Sequence, residues 1–445
     1  MKIDPGNAEP QLGAKTSHAK LGLGAPSLPP GYKQTEVGVI PEEWEVVTAS
    51  EACELVVDCK NRTPPVVADS DYAVVRTPNV RDGKFVLEEL RFTDAVSYRE
   101  WTARAVPQSG DIMITREAPL GEVCEVPPNR KVCLGQRMML YRPAPAKTAS
   151  NYLLFALMSE PVRANLLRKI GGSTVGHAKV DDIRFLQLPH PPLPEQRAIA
   201  AALSDVDGLL GALDRLIAKK RDLKQAAMQQ LLTGQTRLPG FKGEWVMKTL
   251  GEIAKIQRGA SPRPIDSPVW FDDNSSIGWV RISDVTRSGM FLLETTQRLS
   301  PLGVQYSRPV ATGTLIMSIC ATVGRPIITK IDVCIHDGFV VFENLQAEQL
   351  FIYYFLKWIE PDWSKHGQTG SQMNLNTALI TGTTISQPPL PEQTAIASVL
   401  SEMDLELAAL EQRREKTLAL KQAMMQELLT GRTRLIGCIV LFDTF

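Results

Sequence analysis

This 445-residue sequence has no excess of either charge, no long apolar run and no paired cysteine motif. Its 49 basic residues equal its 49 acidic residues, which excludes a protein that binds nucleic acid through a large net positive charge. No apolar run approaches the roughly 18 residues of a membrane-spanning helix, and we expect no secretory signal peptide. The seven cysteines form no C-x-x-C pair, so we expect a reducing, cytoplasmic environment rather than a disulfide framework.

Motifs for catalysis are also missing. The sequence has no glycine-rich phosphate loop, no Rossmann fingerprint and no Asn-Pro-Pro-aromatic run of the amino-methyltransferase kind. Pro361-Asp362 is not followed by the carboxylate-x-Lys of a nuclease metal site. Cys334 and His336 lack a second ligand pair, and a buried strand cysteine beside a satisfied histidine explains them better than a metal does. We therefore expect no catalytic residue, no cofactor and no metal.

What the sequence does contain is a long internal repeat. Residues 192–238 return 197 positions later as residues 389–435, with roughly 28 of 47 positions identical and no gap. Both copies open with Pro-Leu-Pro-Glu-Gln and close with Leu-Leu-Thr-Gly-x-Thr-Arg-Leu. Unrelated helices share a period but not such a string of polar residues, so the repeat indicates duplication of one supersecondary unit.

Each copy predicts one long helix. Pro194 and Pro391 suit the first helical position, where a missing N–H costs nothing. The glutamate that follows each proline places negative charge at the positive end of the helix dipole. Gly234 and Gly431 suit the position just beyond the helix end. About forty residues at roughly 1.5 Å each give a rod of about 60 Å.

Apolar residues in both copies alternate by four and three, as in a heptad seam that needs a partner helix. The seam residues are Ile199, Leu203, Val206, Leu210, Leu213, Ile217, Ile396, Leu400, Met403, Leu407 and Leu410. The pattern slips where Lys220, Arg414 and Thr417 fall on seam positions. Leu223, Leu231, Leu420 and Leu428 are predicted to resume it on a shifted register. Two separate amphipathic surface helices are the alternative to packing of the copies on each other.

Connectivity sets the direction of the pair. The second helix starts at the second globular region, so it must run back along the first, which predicts antiparallel helices and an approximate twofold axis. The expected segments are a disordered tail over 1–30, a first globular region over 31–190, the central helix over 191–238, a second globular region over 239–387, the C-terminal helix over 388–435 and a tail over 436–445.

The two globular regions are predicted to be divergent copies of one α+β domain. Segments that echo each other are Val75-Arg76 with Val280-Arg281, Gly110 to Gly121 with Gly313 to Gly324, and Val132-Cys133 with Val333-Cys334. A helix is expected over Tyr152 to Leu167, followed by a glycine-rich loop. The predicted fold class is thus α+β, with two mixed globular domains, two long antiparallel coiled-coil helices and a pseudo-twofold repeat.

Charge placement points to DNA contact. From about residue 126 to 180 there are nine basic residues against Glu160 alone, a local excess suited to phosphate; an ordinary solvated surface is the alternative. The second region has no such excess, but it carries polar side chains that pair with base edges. The candidate DNA-binding residues are Arg76, Asn79, Arg81, Arg116, Arg137, Ser173, Thr174, Lys179, Arg281, Ser283, Asp284, Arg287, Gln372 and Asn374.

The repeated helix motif and the opening Gly-Tyr-Lys-Gln-Thr-Glu-Val-Gly-Val-Ile-Pro-Glu-Glu-Trp resemble the specificity subunit of type I restriction-modification systems over about residues 31–435. The resemblance implies that each globular region is a target recognition domain for one half of a split site in double-stranded DNA, with the helices as a spacer. It implies two methyltransferase subunits, which carry S-adenosylmethionine and dock partly on the helices, and ATP-dependent restriction subunits as partners. This chain itself would bind no cofactor and catalyse nothing.

Three other hypotheses remain at this point. A free-standing DNA-binding regulator would bind a split site without a partner. A coiled-coil scaffold would show no salt-dependent DNA binding. An enzyme is the least favoured, because the catalytic motifs are missing.

Overall fold

The computed structural model describes residues 28–170, 176–363 and 375–435, and the chain divides into two compact units. The first unit comprises residues 1–208 and 418–445, and the second comprises residues 209–417. Residues 1–27 and 436–445 of the predicted tails lie outside the described residues. None of the helices in the described ranges combines the length and hydrophobicity that a bilayer-spanning segment needs.

The first unit mixes short strands with helices. Its elements are β1 (Tyr32–Thr35), β2 (Gly38–Pro41), β3 (Glu45–Thr48), α1 (Ala49–Ala52), β4 (Cys53–Asp58), β5 (Tyr72–Val75), a 3-10 turn (Thr77–Asn79), β6 (Val80–Arg81), β7 (Lys84–Phe85), β8 (Arg91–Thr93), α2 (Ala95–Trp101), β9 (Ile112–Thr115), β10 (Val123–Glu125), β11 (Lys131–Leu134), β12 (Met138–Pro143), α3 (Ser150–Met158), α4 (Glu160–Lys169), α5 (Val180–Arg184), β13 (Gln187–His190) and the start of α6 (Leu193–Leu232).

The second unit repeats this order. Its elements are the rest of α6, β14 (Val246–Thr249), α7 (Leu250–Ile253), β15 (Lys255–Arg258), a 3-10 turn (Pro268–Trp270), β16 (Gly278–Val280), α8 (Ile282–Arg287), β17 (Phe291–Leu292), β18 (Gln297–Arg298), α9 (Pro301–Gln305), β19 (Arg308–Val310), β20 (Leu315–Ser318), β21 (Pro326–Thr329), β22 (Val333–Ile335), β23 (Phe339–Glu343), α10 (Gln349–Trp363), α11 (Thr377–Gly382), β24 (Thr384–Gln387) and most of α12 (Leu390–Leu428).

The sheets of the two units share a common strand order. The first unit has the strand orders β10-β9-β12-β4, β11-β5-β8 and β13-β3. The second has β15-β23-β20-β21-β17, β18-β16-β22-β19 and β14-β24, so each of its larger sheets carries one extra edge strand. The strands of each echoed Val-Cys segment lie parallel to a neighbour, β11 to β5 and β22 to β16. The α+β fold class and the internal repeat are confirmed.

Inside each unit the two long helices run antiparallel. In the first unit, Glu195 pairs with Arg434 and Asp207 pairs with Lys421. The residue number therefore increases along α6 as the residue number of its partner decreases. In the second unit the ion pairs Lys220–Glu406 and Arg237–Glu392 progress in the same sense. The predicted antiparallel direction is confirmed.

The seam residues are mostly buried. Those at most 8% exposed are Ile199, Leu203, Leu210, Leu213, Ile217, Ile396, Leu400 and Leu407, and those half-buried are Val206, Met403 and Leu410. The helices begin at Leu193 and Leu390, which puts each motif proline at the second helical position, where its missing N–H still leaves no bond unmade.

The register beyond the slip also differs in part from the prediction. Leu231 and Leu428 are buried as predicted, whereas Leu223 and Leu420 are 47% and 54% exposed instead of resuming the seam. The next residue of each helix turns inward instead: Lys224 and Lys421 are 17% and 12% exposed. Each lysine pairs with an aspartate and lies over an aromatic ring, Tyr354 at 5.4 Å in one unit and Phe155 at 5.5 Å in the other. An ion pair over an aromatic ring therefore replaces the apolar contact.

The predicted helix over Tyr152 to Leu167 is two helices, α3 and α4, which meet at Ser159 in an extended conformation. Pro161 lies in the first turn of α4, where its missing N–H is tolerated, whereas one continuous helix would lose a backbone bond there. The break lets both helices cover the same core cluster, which includes Leu153, Leu157 and Leu166.

Candidate nucleic-acid interface

Each unit has one loop that is held in the same way. In the first unit Thr115 Oγ1 accepts the backbone N–H of Glu122 at 3.0 Å, and Gly121 has φ +75°. In the second unit Ser318 Oγ accepts the N–H of Arg325 at 3.2 Å, and Gly324 has φ +80°. These loops connect β9 to β10 and β20 to β21, which are neighbouring antiparallel strands in the main sheet of each unit.

The chain returns to that loop at equivalent points. The N–H of Ala178 donates to the carbonyl of Arg116 at 2.9 Å, and the N–H of Leu375 donates to the carbonyl of Ile319 at 2.8 Å. The glycine-rich segments 171–175 and 364–374 end three residues and one residue before these contacts, respectively. Four candidates from the sequence, Ser173, Thr174, Gln372 and Asn374, lie in those segments and outside the described residues.

In the first unit, Arg137 and Lys179 lie at this loop, and both are exposed. Arg137 Nε contacts Glu117 Oε2 at 2.6 Å, and the other oxygen of Glu117 contacts His177 Nδ1 at 2.7 Å. The backbone of Arg137 is fixed by the carbonyl that accepts the Arg116 N–H at 2.8 Å and by an N–H directed at Cys59 Sγ. The structure thus presents one guanidinium and one imidazole on a shared carboxylate.

Three other first-unit candidates are less available. Asn79 is completely buried; its amide nitrogen donates to the carbonyls of Val86 and Glu88, and its amide oxygen accepts the N–H of Arg76. Arg76 donates to the Glu89 carbonyl at 2.7 Å, and burial lowers the pKa of its guanidinium. Arg116 is only 6% exposed. We assign Asn79 a structural role, because a satisfied, buried amide cannot reach a base edge.

Arg81 is the exposed candidate of the β6–β7 hairpin. Asp82 and Gly83 form its turn with positive φ values of 51° and 78°. The N–H of Asp82 donates to Glu122 Oε2 at 2.7 Å, so this hairpin is attached to the Thr115 loop. Arg81 and Arg137 therefore lie on neighbouring loops, which we call, together with Lys179, the loop cluster of the first unit.

In the second unit, Asp284 is also a structural residue. It is 2% exposed, and its carboxylate accepts bonds from the Arg281 N–H at 2.9 Å, from Arg287 Nη2 at 2.7 Å and from the N–H and hydroxyl of Thr296. Arg287 remains 66% exposed despite this bond. Asp284 is the equivalent of Asn79 in the first unit, because the side chain of each accepts the backbone N–H of the arginine three positions earlier.

Arg281 and Ser283 line an open pocket of about 540 Å³ at the start of α8, together with Ile282, Thr296, Gln297 and His336. Sequence reasoning missed Gln297 and considered His336 only as a metal ligand. The two are separated from Arg281 by 16 and 55 positions, so spacing gives no signal of their proximity.

The basic excess of residues 126–180 is smaller in the fold than in the sequence. Three of its nine cations pair with acids from outside that window: Arg137 with Glu117, Arg142 with Asp111 and Arg163 with Glu122. Arg142 binds Asp111 through two nitrogens, and side-chain hydrogen bonding to that carboxylate raises the pKa of its guanidinium. These pairs weaken the electrostatic argument for a broad phosphate-binding surface.

The ends of the long helices carry a duplicated polar site. In the first unit the indole nitrogen of Trp44 donates to Glu195 at 3.0 Å, and Arg434 binds the same carboxylate. In the second unit Trp245 and Arg237 bind Glu392 in the same way. The sequence signals for this site are the Glu-Gln and Thr-Arg pairs that occur in both copies of the repeat and the tryptophan near the start of each globular region, Trp44 and Trp245.

The glutamine that follows each of these glutamates fixes the helix to its own domain. Gln196 accepts the N–H of Ala149 and donates to the carbonyls of Lys147 and Pro191. Gln393 accepts the N–H of Glu348 and donates to the carbonyl of Pro388. The paired helices and domains are therefore joined by the very residues that the repeat preserves.

Comparisons with known proteins agree with this architecture. The putative type I restriction enzyme MjaX specificity subunit of Methanocaldococcus jannaschii is 26% identical over 425 residues, 91% of this chain and 96% of that protein. The MjaVIII specificity subunit of the same organism is 24% identical and covers 89% of this chain and 94% of its own length.

Solved structures show the same fold. A chain from a structure of the type I R-M system, described for its complex assembly and conformational transition, has a TM-score of 0.58 at 20% identity and covers 88% of this chain and 99% of that chain. The S subunit of a type I restriction-modification system from M. genitalium has a TM-score of 0.53 at 16% identity and covers 86% of this chain and 96% of its own. The type I restriction modification DNA specificity domain matches twice, over residues 41–219 and 242–420. The chain therefore belongs to the family of type I restriction-modification specificity subunits.

Proposed function

We propose that this chain is the DNA specificity subunit of a type I restriction-modification complex, in which each globular domain reads one half of a split DNA site. The observation that carries the proposal is the duplicated architecture: two domains with a common strand order, each attached to its long helices by the same Trp-Glu-Arg contacts. Two related readers of this kind suit two half-sites separated by bases that are not read.

The loop clusters support two different half-sites. The first unit presents Arg81, Arg137 and Lys179, whereas the second presents Arg281, Ser283 and Arg287. Because base readout depends on the few side chains that reach a groove, these two sets select different sequences. The framework behind them, which includes Asn79 and Asp284, is common to both.

The long helices act as the spacer and as part of the docking surface for two methyltransferase subunits. Those subunits supply S-adenosylmethionine and the methylating site, and restriction subunits supply ATP-dependent cleavage. This chain contributes recognition and no catalytic group, and it works in the cytoplasm, where the chromosome is accessible.

A domain exchange tests the proposal. Residues 40–190 are replaced by the corresponding segment of a related specificity subunit, the complex is expressed with its methyltransferase, and methylated sites are mapped across a genome. We expect one half of the site to change while the other half and the spacing stay the same.

The reciprocal exchange of residues 239–387 is the matched control, and it should change only the other half. If either exchange alters both halves, the domains do not read independently. Binding of a split site by the purified chain with no effect of a methyltransferase would favour a free-standing regulator instead.

A further inference from the structure

The pocket at the start of α8 contains an arginine whose guanidinium is anchored through Nε. Arg281 Nε donates to Gln297 Oε1 at 2.7 Å. Within the described part of the chain, neither terminal nitrogen of Arg281 has a hydrogen-bond or ion-pair partner, and the residue is only partly exposed. Anchoring at Nε leaves the terminal guanidinium donors available and removes much of the rotational freedom that an unattached arginine loses on binding.

The backbone beneath this arginine is rigid. Arg281 is the residue before α8, and its N–H donates to the buried Asp284 carboxylate at 2.9 Å. The same carboxylate holds Thr296 through its N–H and hydroxyl, and Thr296 precedes Gln297. Gln297 in turn lies opposite Trp279 in the pairing of β16 and β18. Both the arginine and its anchor are therefore fixed to one framework.

The remaining polar side chains of the pocket add donors. Ser283 is exposed and offers a hydroxyl. His336 Nδ1 accepts the Gly338 N–H at 2.9 Å, which places the proton of the neutral imidazole on Nε2. Burial lowers the pKa of His336. The negative charge of Asp337 raises this pKa and the positive charge of Arg281 lowers it, but burial has the largest effect. The ring therefore stays neutral at pH 7. The side-chain oxygen of Gln297 is already used by Arg281, and its amide nitrogen remains a donor.

A donor-rich pocket with a fixed guanidinium fits a ligand edge that carries two adjacent acceptors. In the major groove, guanine presents N7 and O6, whereas adenine and cytosine each present an amino group that needs an acceptor. A phosphate also presents acceptors, but the backbone N–H of Arg281 is taken by the Asp284 carboxylate, and the negative charge of that carboxylate beneath the pocket opposes an anion.

We propose that Arg281, anchored by Gln297, reads one guanine in the half-site of the second domain. Ser283 and His336 complete the donor set around that base. This inference rests on the proposed function and adds to it the base class and the residue that selects it. Gln297 is a positioning residue, because it acts through Arg281.

Selection from a random duplex library tests this assignment. The full-length chain with its methyltransferase subunits is used as wild type, as Arg281→Lys and as Gln297→Leu. Lysine keeps the charge but loses the two-pronged geometry, so the preference for one G·C pair in one half-site should fall about 10- to 100-fold, with the other half unchanged. Gln297→Leu should relax the same position, with weaker effect.

Arg298→Lys is the matched control, since Arg298 follows Gln297 in β18 but bonds to the Ser275 carbonyl outside the pocket; its selected site should equal that of the wild type. If Arg281→Lys weakens binding to all sequences equally and leaves the preference for that G·C pair intact, Arg281 contacts phosphate and the guanine assignment is overturned. An unchanged site in both pocket variants overturns it too. If the wild type selects no split site at all, the proposed function fails and this inference fails with it.

Discussion

The guanidinium of Arg237 binds the carboxylate of Glu392, 155 positions later, with Nε at 2.9 Å from Oε1. Glu392 is completely buried, and Trp245 donates to its other oxygen at 3.2 Å. Arg434 and Glu195 form the same ion pair in the first unit, with Trp44 as the second donor. Each carboxylate at the start of one long helix is therefore neutralised by the arginine that follows the end of the other, which fixes the antiparallel pairing by chemistry as well as by apolar contacts.

The indole donors of this site give a stability prediction. Trp44→Phe removes the hydrogen bond to Glu195 and some volume from a fully buried position, and we expect it to lower the free energy of unfolding of the first unit by about 2–3 kcal/mol. Hydrogen exchange of the strands in that unit measures the change.

Trp279→Phe is its matched control. Trp279 is equally buried, but among the described residues its indole nitrogen has no hydrogen-bond partner, so the same substitution should cost about 1–2 kcal/mol less in the second unit. Equal losses would show that the bond to Glu195 contributes nothing beyond packing.

Substitutions at Asn79 and Arg81 distinguish a residue that stabilises the fold from a residue that contacts DNA. Asn79→Ala leaves the carbonyls of Val86 and Glu88 without their donor, so we expect a loss of about 3 kcal/mol in the stability of the first unit. Arg81→Ala should change stability by less than about 0.5 kcal/mol. It should weaken DNA binding and, if Arg81 contacts phosphate, reduce the slope of binding against salt by about one.

Thermal unfolding and salt-dependent binding of both variants measure these effects. A stable Asn79→Ala protein with altered base preference would contradict the structural role of that amide. Full DNA affinity in Arg81→Ala would remove this arginine from the interface.

Local signals in the sequence were sufficient for the fold class and the helix pair. These signals are the repeat, the motif prolines and the terminal glycines Gly234 and Gly431, which have φ values of +72° and +69°. Each of them determines the conformation of residues close to it in the sequence. The seam failed at Leu223 and Leu420 because Lys224 and Lys421 find an aspartate and an aromatic ring that only the folded chain brings near them.

The candidate site was harder to predict from the sequence, because its contacts join residues that are distant along the chain. Asn79 and Asp284 resemble base readers by residue type, and only their burial reveals a framework role. The basic excess near Arg142 is reduced in the fold because Asp111, which pairs with this arginine, lies 31 positions earlier. Arg281, by contrast, was a candidate from the sequence, but its anchor Gln297 was not.

The glycines inside α6 give a prediction about helix stability. Gly208 lies in the helix interior, and a Cβ there would meet no atom within 4 Å. Gly208→Ala should therefore stabilise the protein by about 0.5–1 kcal/mol, because alanine restricts the unfolded chain and favours the helix.

Gly234→Ala should have the opposite sign. Gly234 has a φ of +72°, and a Cβ there would approach the Trp245 ring at 3.3 Å, so we expect a loss of at least about 1 kcal/mol. Chemical denaturation measures the free energy of unfolding of both variants. Destabilisation by Gly208→Ala would mean that α6 must bend at Gly208.

The neutral His336 predicts a pH dependence of the second unit. Burial holds its folded-state pKa below its usual value of 6.5, so the unfolded chain binds more protons as pH falls through 6.5, and stability is lost in that direction. His336→Asn should flatten this part of the profile between pH 7.5 and 5.5. A wild-type second unit that gains stability on acidification over this range would contradict a buried neutral ring.

The spacing role of the long helices is tested most directly by lengthening them. One heptad is inserted after Asp214 in α6 and one after Arg413 in α12, which keeps the Asp214–Arg414 ion pair, and the methylated sites are mapped. The insertion adds about 10 Å, so the unread spacer should grow by about three base pairs while both half-sites keep their sequences. An unchanged spacer in a folded, methylating complex would show that the helices do not set the distance between the two readers.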